Sequence, residues 1–348
     1  MKKLDIYLLV LLFALLGTTF TGCALVDEDM GDCEKDYHLD YELQLITNMT
    51  TELETQLSME ADIEARAALK TYLGGIFTDY AHDVDLSFYD VEGDFPRLHH
   101  ESHIMDANQS KYTLFIPVRR YMHLAVANVV ENTEVSLRDD ELCENATLFQ
   151  AVGDTLSSHR TGLFTSRLLM DIREGVDQQF NVNLFMANCA SAIVLDTLGS
   201  GVKDIKVFVS GFATDFAIRD SAYHFDYTPI IKTDRIILEN SEELCFAAAH
   251  FPSRDLPLPA TRTVVQTQDP FVSEGATNPL WNVKVYSYLK DGTITECILG
   301  VTQPLRSGGL RVIKAQVYNN GSLVPTDTTV GVSVTLDWEP GLSHDVIL

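Results

Sequence analysis

His99-His100-Glu101-Ser102-His103 is the densest run of proton-transferring and metal-ligating side chains in this 348-residue chain. If the run is a strand, alternate residues share a face, and Glu101 and His103, together with His99, could converge on a metal. The spacing is not HExxH, and on a helix the same positions scatter. A solvent-exposed connection between two strands is the reading adopted for it. Nucleophilic catalysis finds no better support, because no G-x-S-x-G elbow occurs. Ser307-Gly308-Gly309 lies among strand-like segments rather than between a strand and a helix, so it is not a phosphate loop. Asp337 beside Trp338 has the residue types of a sugar site, yet such a Trp more often fills a core or seals the end of a sandwich. No catalytic residue, metal ligand or cofactor is therefore assigned, and no enzyme is expected.

One side chain does carry a legible chemistry. Lys2 and Lys3 precede the apolar run Ile6 to Leu16, and Phe20-Thr21-Gly22-Cys23 follows. That order marks a secretion signal, and the run is too short to span a bilayer. Thr-Gly-Cys looks like the lipobox of bacterial lipoproteins, in which cleavage leaves the cysteine first and its thiol carries a diacylglycerol. Each buried methylene then adds about 0.8 kcal/mol of membrane affinity. Asp27, Glu28 and Asp29, with Asp32, resemble the export signal that takes lipoproteins of Bacteroidota to the outer leaflet. The expected location is the outer membrane, lipid-anchored and facing outward. The other cysteines, Cys33, Cys143, Cys189, Cys245 and Cys297, form no CxxC, and their odd number forbids complete pairing within the chain.

The balance of 50 acidic to 25 basic residues gives a net charge of −25. Such a chain repels phosphate backbones, which excludes nucleic acid as a partner. Four sections are expected: a signal peptide at 1–22, an acidic tether at 23–36, and two β-sandwich domains at 37–178 and 179–348. Tyr37 to Leu45 alternates apolar and polar residues and reads as a strand. A single helix is expected next, with Leu57, Ala61, Ala65 and Leu69 on one face and Gly74-Gly75 ending or breaking it. Strands are then predicted at Val84–Tyr89, Tyr112–Ile116, Met122–Ala127, Phe180–Leu184, Ala192–Leu195 and Ile205–Val209. Trp281 to Tyr288 runs into Asp291-Gly292, a strong hairpin signal. Arg311–Tyr318 and Val330–Leu336 complete the series. Between Asn132 and about Gln178 the pattern weakens. Many short strands without a βαβ rhythm imply an all-β chain of two sandwiches in tandem.

Several phrases, taken in order, resemble the fimbrial anchor and minor-subunit lipoproteins of Bacteroidales, the FimB type within the fimbrillin superfamily. They are Asp32-Cys33 with Leu39 to Leu43 and Asn48-Met49; Val84 to Gly93; Leu114 to Val118 with Tyr121 and Leu124 to Asn128; and Val332 to Gly341. Arg119-Arg120 departs from the family, which commonly has a Gly before the Tyr. The resemblance implies two transthyretin-like sandwiches and a place at the base of a surface pilus or as a minor subunit of one. Its partners would be fimbrillin-type shaft or accessory subunits, with the outer membrane held through lipid at Cys23. Such subunits assemble by strand exchange, so Val332, Val334, Leu336 and Val346 mark a candidate donor or docking segment. No Lys or Arg occurs between Lys35 and Arg66. A basic-specific protease thus has no site just after the first strand, and Leu39 to Leu45 is expected to be retained. The alternative reading is a surface lipoprotein that binds glycans for uptake.

Overall fold

The computed structural model describes residues 36–336, apart from 48, 61, 78–80, 93, 105–110, 131, 177, 198–200, 240, 242, 257–278 and 327–329. In its first part lie β1 (Asp36–Ile46), α1 (Met49–Glu60), α2 (Ile63–Ile76), β2 (Asp83–Asp90), β3 (Arg97–Ile104), β4 (Lys111–Pro117) and β5 (Arg120–Ala127). β6 (Val135–Arg138), β7 (Thr147–Gln150), β8 (Phe164–Asp171) and β9 (Gln179–Met186) follow. Then come β10 (Cys189–Thr197), β11 (Val202–Ser210), β12 (Asp215–Ala217), β13 (Ala222–His224), β14 (Ile230–Lys232), β15 (Asp234–Ile236) and β16 (Glu243–His250). The last are β17 (Trp281–Leu289), β18 (Ile294–Val301), β19 (Leu310–Val317), β20 (Leu323–Pro325) and β21 (Val330–Leu336). Among the described residues the chain is all-β apart from two helices, as its alternation predicts.

The first sheet has the order β3-β2-β5-β8-β9-β1-β4. Its middle seam is thin. β8 and β9 pair only through Phe164 with Met186 and Thr165 with Phe185. Beyond that corner the sheet folds into two layers, β3-β2-β5-β8 and β9-β1-β4, whose inner residues share one core. Leu39, Tyr41, Leu43, Leu114, Ile116, Val182 and Leu184 from one layer join Val84, Leu86, Phe88 and Ala125 from the other. The second sandwich sets β15-β16-β10-β19-β20 against β14-β11-β17-β18-β21. Its core includes Ile193, Leu195, Phe246, Trp281, Val283, Leu299 and Ile313. Gly211 sits at φ +96°, and a Cβ there would stand 2.7 Å from the Trp281 Cα, so only glycine lets the chain pass the backbone at Leu280 and Trp281.

The helical segment differs from expectation. It is two helices rather than one, because Asp62 caps the second: its Oδ1 accepts from the Ala65 amide at 2.7 Å. Gly74-Gly75 lies inside α2 instead of ending it. The Phe77 amide still donates to the Leu73 carbonyl, and burial of Leu73, Ile76 and Phe77 carries the turn past the glycines. Leu57, Ala65 and Leu69 all enter the first core, as their spacing predicts; Ala61 lies outside the described residues.

The two halves interlock. α1 packs on β19, and α2 packs on β16, β10 and β15. Ala190, Ala192, Val194, Cys245, Ala247 and Ala249 face the first core, while Ile193, Leu195 and Phe246 face the second. A further, four-stranded sheet, β13-β12-β7-β6, draws two strands from each half. Leu148 and Phe216 from it cover Tyr89, Leu124 and Val126. The strand expected to open the second domain, β9, pairs in parallel with β1 over Asp40–Ile46, so sheet membership changes after Met186 rather than at 178. Asn132 to Gln178, where periodicity fades, contains β6, β7 and β8.

Polar contacts fasten the helices to the second sandwich. Asp62 Oδ2 accepts from the Ser241 hydroxyl at 2.7 Å, and the Asp62 amide donates to Glu243 at 3.1 Å. Glu243 in turn pairs with Lys314 at 2.5 Å. The Tyr72 hydroxyl donates to Asp234 at 2.5 Å, and Arg160 meets the same carboxylate at 2.8 Å. Asp62→Ala removes a cap and a contact between the halves together. It should lower unfolding free energy by about 1–2 kcal/mol, read as a lower midpoint in urea titration with an unchanged slope.

Candidate functional site

The first strand does not lie at an edge of its sheet. β1 pairs antiparallel with β4, from Asp36 opposite Pro117 to Glu42 opposite Lys111. On its other side it pairs in parallel with β9, from Asp40 opposite Gln179 to Ile46 opposite Phe185. Leu39, Tyr41 and Leu43 point inward at 1%, 1% and 5% exposure, so alternation makes every second residue a core residue. Asp40, Glu42 and Gln44 point outward.

At the centre of this slot lies a polar contact that alternation alone does not reveal. The Tyr41 hydroxyl stands 2.5 Å from Nε2 of His123 on β5, in the facing layer. His123 is fully buried, and its Nδ1 lies 3.0 Å from the Ser87 carbonyl. A carbonyl can only accept, so Nδ1 carries the proton and Nε2 accepts from the tyrosine. The imidazole stacks on Phe88 with centroids 4.3 Å apart and meets the Tyr41 ring edge-on at 5.4 Å. Burial holds His123 neutral, with its pKa down to about 4.

Two further buried histidines share this state. His250 donates from Nδ1 to the Phe251 carbonyl at 2.8 Å, and its Nε2 accepts from the Ser191 hydroxyl at 3.0 Å. Phe212 stacks on it at 3.6 Å. His159 contacts Asn188 at 3.3 Å, and its Nε2 has no hydrogen-bond partner. Burial pushes both pKa values to about 3, with a small Coulombic contribution of His250 to His159. His123 and His250 sit in the apolar runs Met122-His123-Leu124-Ala125 and Ala247-Ala248-Ala249-His250-Phe251, and His159 lies in the polar stretch Ser157-Ser158-His159-Arg160, so no sequence pattern marks any of the three as a buried polar site.

The residues singled out from the sequence fall in separate places. His99 to His103 is not a connection but part of β3, the end strand of the first sheet. Exposure alternates residue by residue along it, with His99, Glu101 and His103 on the less exposed side, which continues the core face past Phe88. Glu101 accepts from His99 at 2.8 Å and from His103 at 2.9 Å, one oxygen each, while His100 pairs with Asp85 at 2.6 Å on the other face. Along a strand the outer two residues are roughly 13 Å apart at ~3.3 Å per residue, which spaces the imidazoles along the carboxylate rather than around one point. Among the described residues, no group of three or more His, Cys, Asp or Glu is placed to hold a metal. The Ser307-Gly308-Gly309 turn packs its backbone against Asn188 and Ala190.

Cys143, Cys189, Cys245 and Cys297 are free and buried. Burial raises the thiols of Cys143 and Cys297 to about 11 and that of Cys245 to about 12, and that of Cys189 well above its ordinary value. All four are inert as nucleophiles. Val332, Val334 and Leu336 lie on β21, opposite Leu299, Cys297 and Thr295 of β18, at the end of its sheet. Cys23, Asp27, Glu28, Asp29, Cys33, Asp337, Trp338 and Val346 lie outside the described residues. A cavity of about 330 Å³ opens between the β8–β9 corner and the four-stranded sheet, lined by Thr165, Ser166, Arg167, Phe185, Phe216 and Tyr223 among others.

No family model and no curated protein matches the chain. Its neighbours among solved structures include fimbrial proteins and adhesin candidates. The fimbrial anchor protein Mfa2 of Porphyromonas gingivalis is similar at 7% identity and a TM-score of 0.46, over 86% of this chain and 98% of that one. The tip fimbrial protein Mfa3 of the same organism, truncated at its C-terminus, is similar at 9% identity and 0.43, over 87% and 100%. An adhesin candidate from Bacteroides thetaiotaomicron is similar at 10% identity and 0.49, over 86% and 99%.

The buried imidazoles give stability a pH dependence of known sign. Each folded-state pKa lies below the ordinary 6.5, so the unfolded chain takes up protons that the folded one refuses. Their contribution is complete above about pH 6.5 and is lost as pH falls toward about 4 for His123 and about 3 for His159 and His250. Each imidazole accounts for about 1.4 kcal/mol per pH unit in that window. Calorimetry should show a steep fall in melting temperature from pH 6.5 to 4.5. A flat profile would contradict neutral burial.

Proposed function

We propose that this protein is a cell-surface lipoprotein that anchors a fimbria, or forms a minor part of it, at the outer membrane and limits the length of the filament. In this reading residues 1–22 are removed, Cys23 carries the lipid, and residues 23–36 form the tether, with Asp27, Glu28 and Asp29 directing it outward. The two bodies are transthyretin-like sandwiches, joined through the shared helix pair.

The observation that carries the reading is the placement of β1. A tether ahead of Asp36 runs straight into a strand paired on both sides, whose Leu39, Tyr41 and Leu43 are core residues. A lipid on Cys23 is then held by the fold itself. The stretch between Lys35 and Arg66 offers no basic cleavage site, which supports retention of that strand. β21 supports the docking role because it ends its sheet among the described strands, where an added strand could pair with its outer side. Val332, Val334, Leu336 and Val346 are the residues assigned to that contact with a shaft or accessory subunit.

The test has two arms. Mass spectrometry of protein taken from cells should find the N-terminal residue to be acylated Cys23, and Cys23→Ala should release the protein from membranes. Cells lacking the protein, viewed by electron microscopy, should shed abnormally long filaments into the medium. An N-terminus downstream of Leu45, or filaments that stay attached in the deletion strain, defeats the anchor reading. Glycan binding by the purified protein with normal filaments would favour an uptake role instead.

A further inference from the structure

The topology around β1 points to a mechanical property. β1 and β9 are parallel, so their N-terminal ends lie together and their C-terminal ends lie together. The tether joins β1 at its N-terminal end, ahead of Asp36. The chain leaves β9 at its C-terminal end, where Ala187 and Asn188 lead directly into β10 and the second sandwich. Tension between the tether and the second sandwich therefore pulls β1 and β9 in opposite directions along their own axes. We propose that β1 is a shear clamp, through which this protein bears tensile load between its N-terminal tether and its second sandwich. The inference rests on the anchor reading for its biological purpose, but not for its physics.

Shear geometry matters because of how bonds share force. A strand peeled from its end loads one register pair at a time. A strand drawn lengthwise loads the whole ladder together, and both ladders of β1 are drawn this way. Seven pairs run from Asp36–Pro117 to Glu42–Lys111, and seven from Asp40–Gln179 to Ile46–Phe185. The alternating core residues add a second resistance, since a slide of one residue would turn Leu39, Tyr41 and Leu43 outward. A slide of two residues would restore the alternation. Against it stands the Tyr41–His123 hydrogen bond, because a shifted Tyr41 leaves the fully buried Nε2 acceptor without its donor. The pair acts as a pin across the direction of pull.

The load also meets resistance beyond β1. α1 and α2, which follow it directly, pack on β19 and β16 of the second sandwich, and the four-stranded sheet spans both halves. Force entering the second sandwich is thereby spread over the body that grips β1, while β1 alone is pulled from its free end.

Single-molecule pulling on residues 24–348 tests the clamp. One handle is placed on Cys33, ahead of β1, and the other on the Asp291 hairpin through Asp291→Cys; the buried thiols stay unlabelled. In the comparison protein Cys33→Ser and Thr51→Cys move the first handle past the C-terminal end of β1, so that the strand is approached from its other end. At one loading rate the Cys33 geometry should need at least about twice the rupture force of the Thr51 geometry, since forced unfolding reports the barrier along the direction of pull. Tyr41→Phe, which keeps the ring, should lower the first force and leave the second unchanged. Equal forces in the two geometries overturn the clamp, and an unchanged force in Tyr41→Phe overturns the pin. Neither result bears on whether Cys23 is acylated, so failure here is distinct from failure of the anchor reading.

Discussion

The architecture turns on one sheet that must be buried on both faces. On β10 and β16 of the sheet β15-β16-β10-β19-β20 the residues that face the helices are small or slender: Ala190, Ala192 and Val194 on β10, and Cys245, Ala247 and Ala249 on β16. Those that face the second sandwich include Ile193, Leu195, Phe246 and Ile313. Small side chains let α1 and α2 approach the strands closely, and large ones fill the wider gap between sheets. Burial on both sides removes the polar face that an antiparallel sheet usually shows to water. The helices cannot leave this surface without exposing two layers at once. Because they also cap the core beneath β1 and β2, that sheet ties the first sandwich to the second.

This arrangement explains what could and could not be read in the sequence. Strands whose sequence alternates apolar and polar residues announce themselves: Tyr37 to Leu45, Val84 to Tyr89 and Trp281 to Tyr288 appear as β1, β2 and β17, although the polar positions of β2 and β17 are themselves largely buried. Strands with apolar or small residues on both faces lose that rhythm. β10 and β16 read as short apolar runs with alanines, and nothing in them states that one face meets helices. β6, β7, β12 and β13 are only three or four residues long, below the length at which alternation carries information. Their sheet is assembled from both halves, so a linear division of the chain does not describe it. β9 illustrates the same limit. Its alternation was legible, but its partner, β1, lies more than a hundred residues earlier.

The polar interior was the least legible part. A histidine in an apolar run has no periodic signature that separates a buried acceptor from an exposed side chain, and His123 and His250 sit in such runs, while His159 lies between Ser158 and Arg160, where nothing marks it as buried. The conspicuous histidines, His99, His100 and His103, turn out to be partly exposed and paired with Glu101 and Asp85. Density of ionisable residues in sequence pointed to the rim of the sheet, while the costly groups lay deep inside it. The physical reason is general: a charge run is cheap at a wet edge, whereas one neutral imidazole in a core must find both of its partners there. Tyr41 and Ser87 supply them for His123, from two different strands, and no local spacing encodes that meeting.

The acidic character of the chain bears on how such a body can stand at a membrane. With 50 acidic and 25 basic residues, the protein is repelled by anionic surfaces beyond a Debye length of about 8 Å only weakly, and within it strongly. On the proposed reading, in which lipid holds the N-terminus at a membrane, the same charge resists contact between the body and an anionic surface. Tension applied ahead of Asp36 then passes directly into β1. The axis of β1 runs between two ladders, with core residues at every second position. Tether and strand placement thus favour the same direction of load, and the buried Tyr41–His123 pair stands across it.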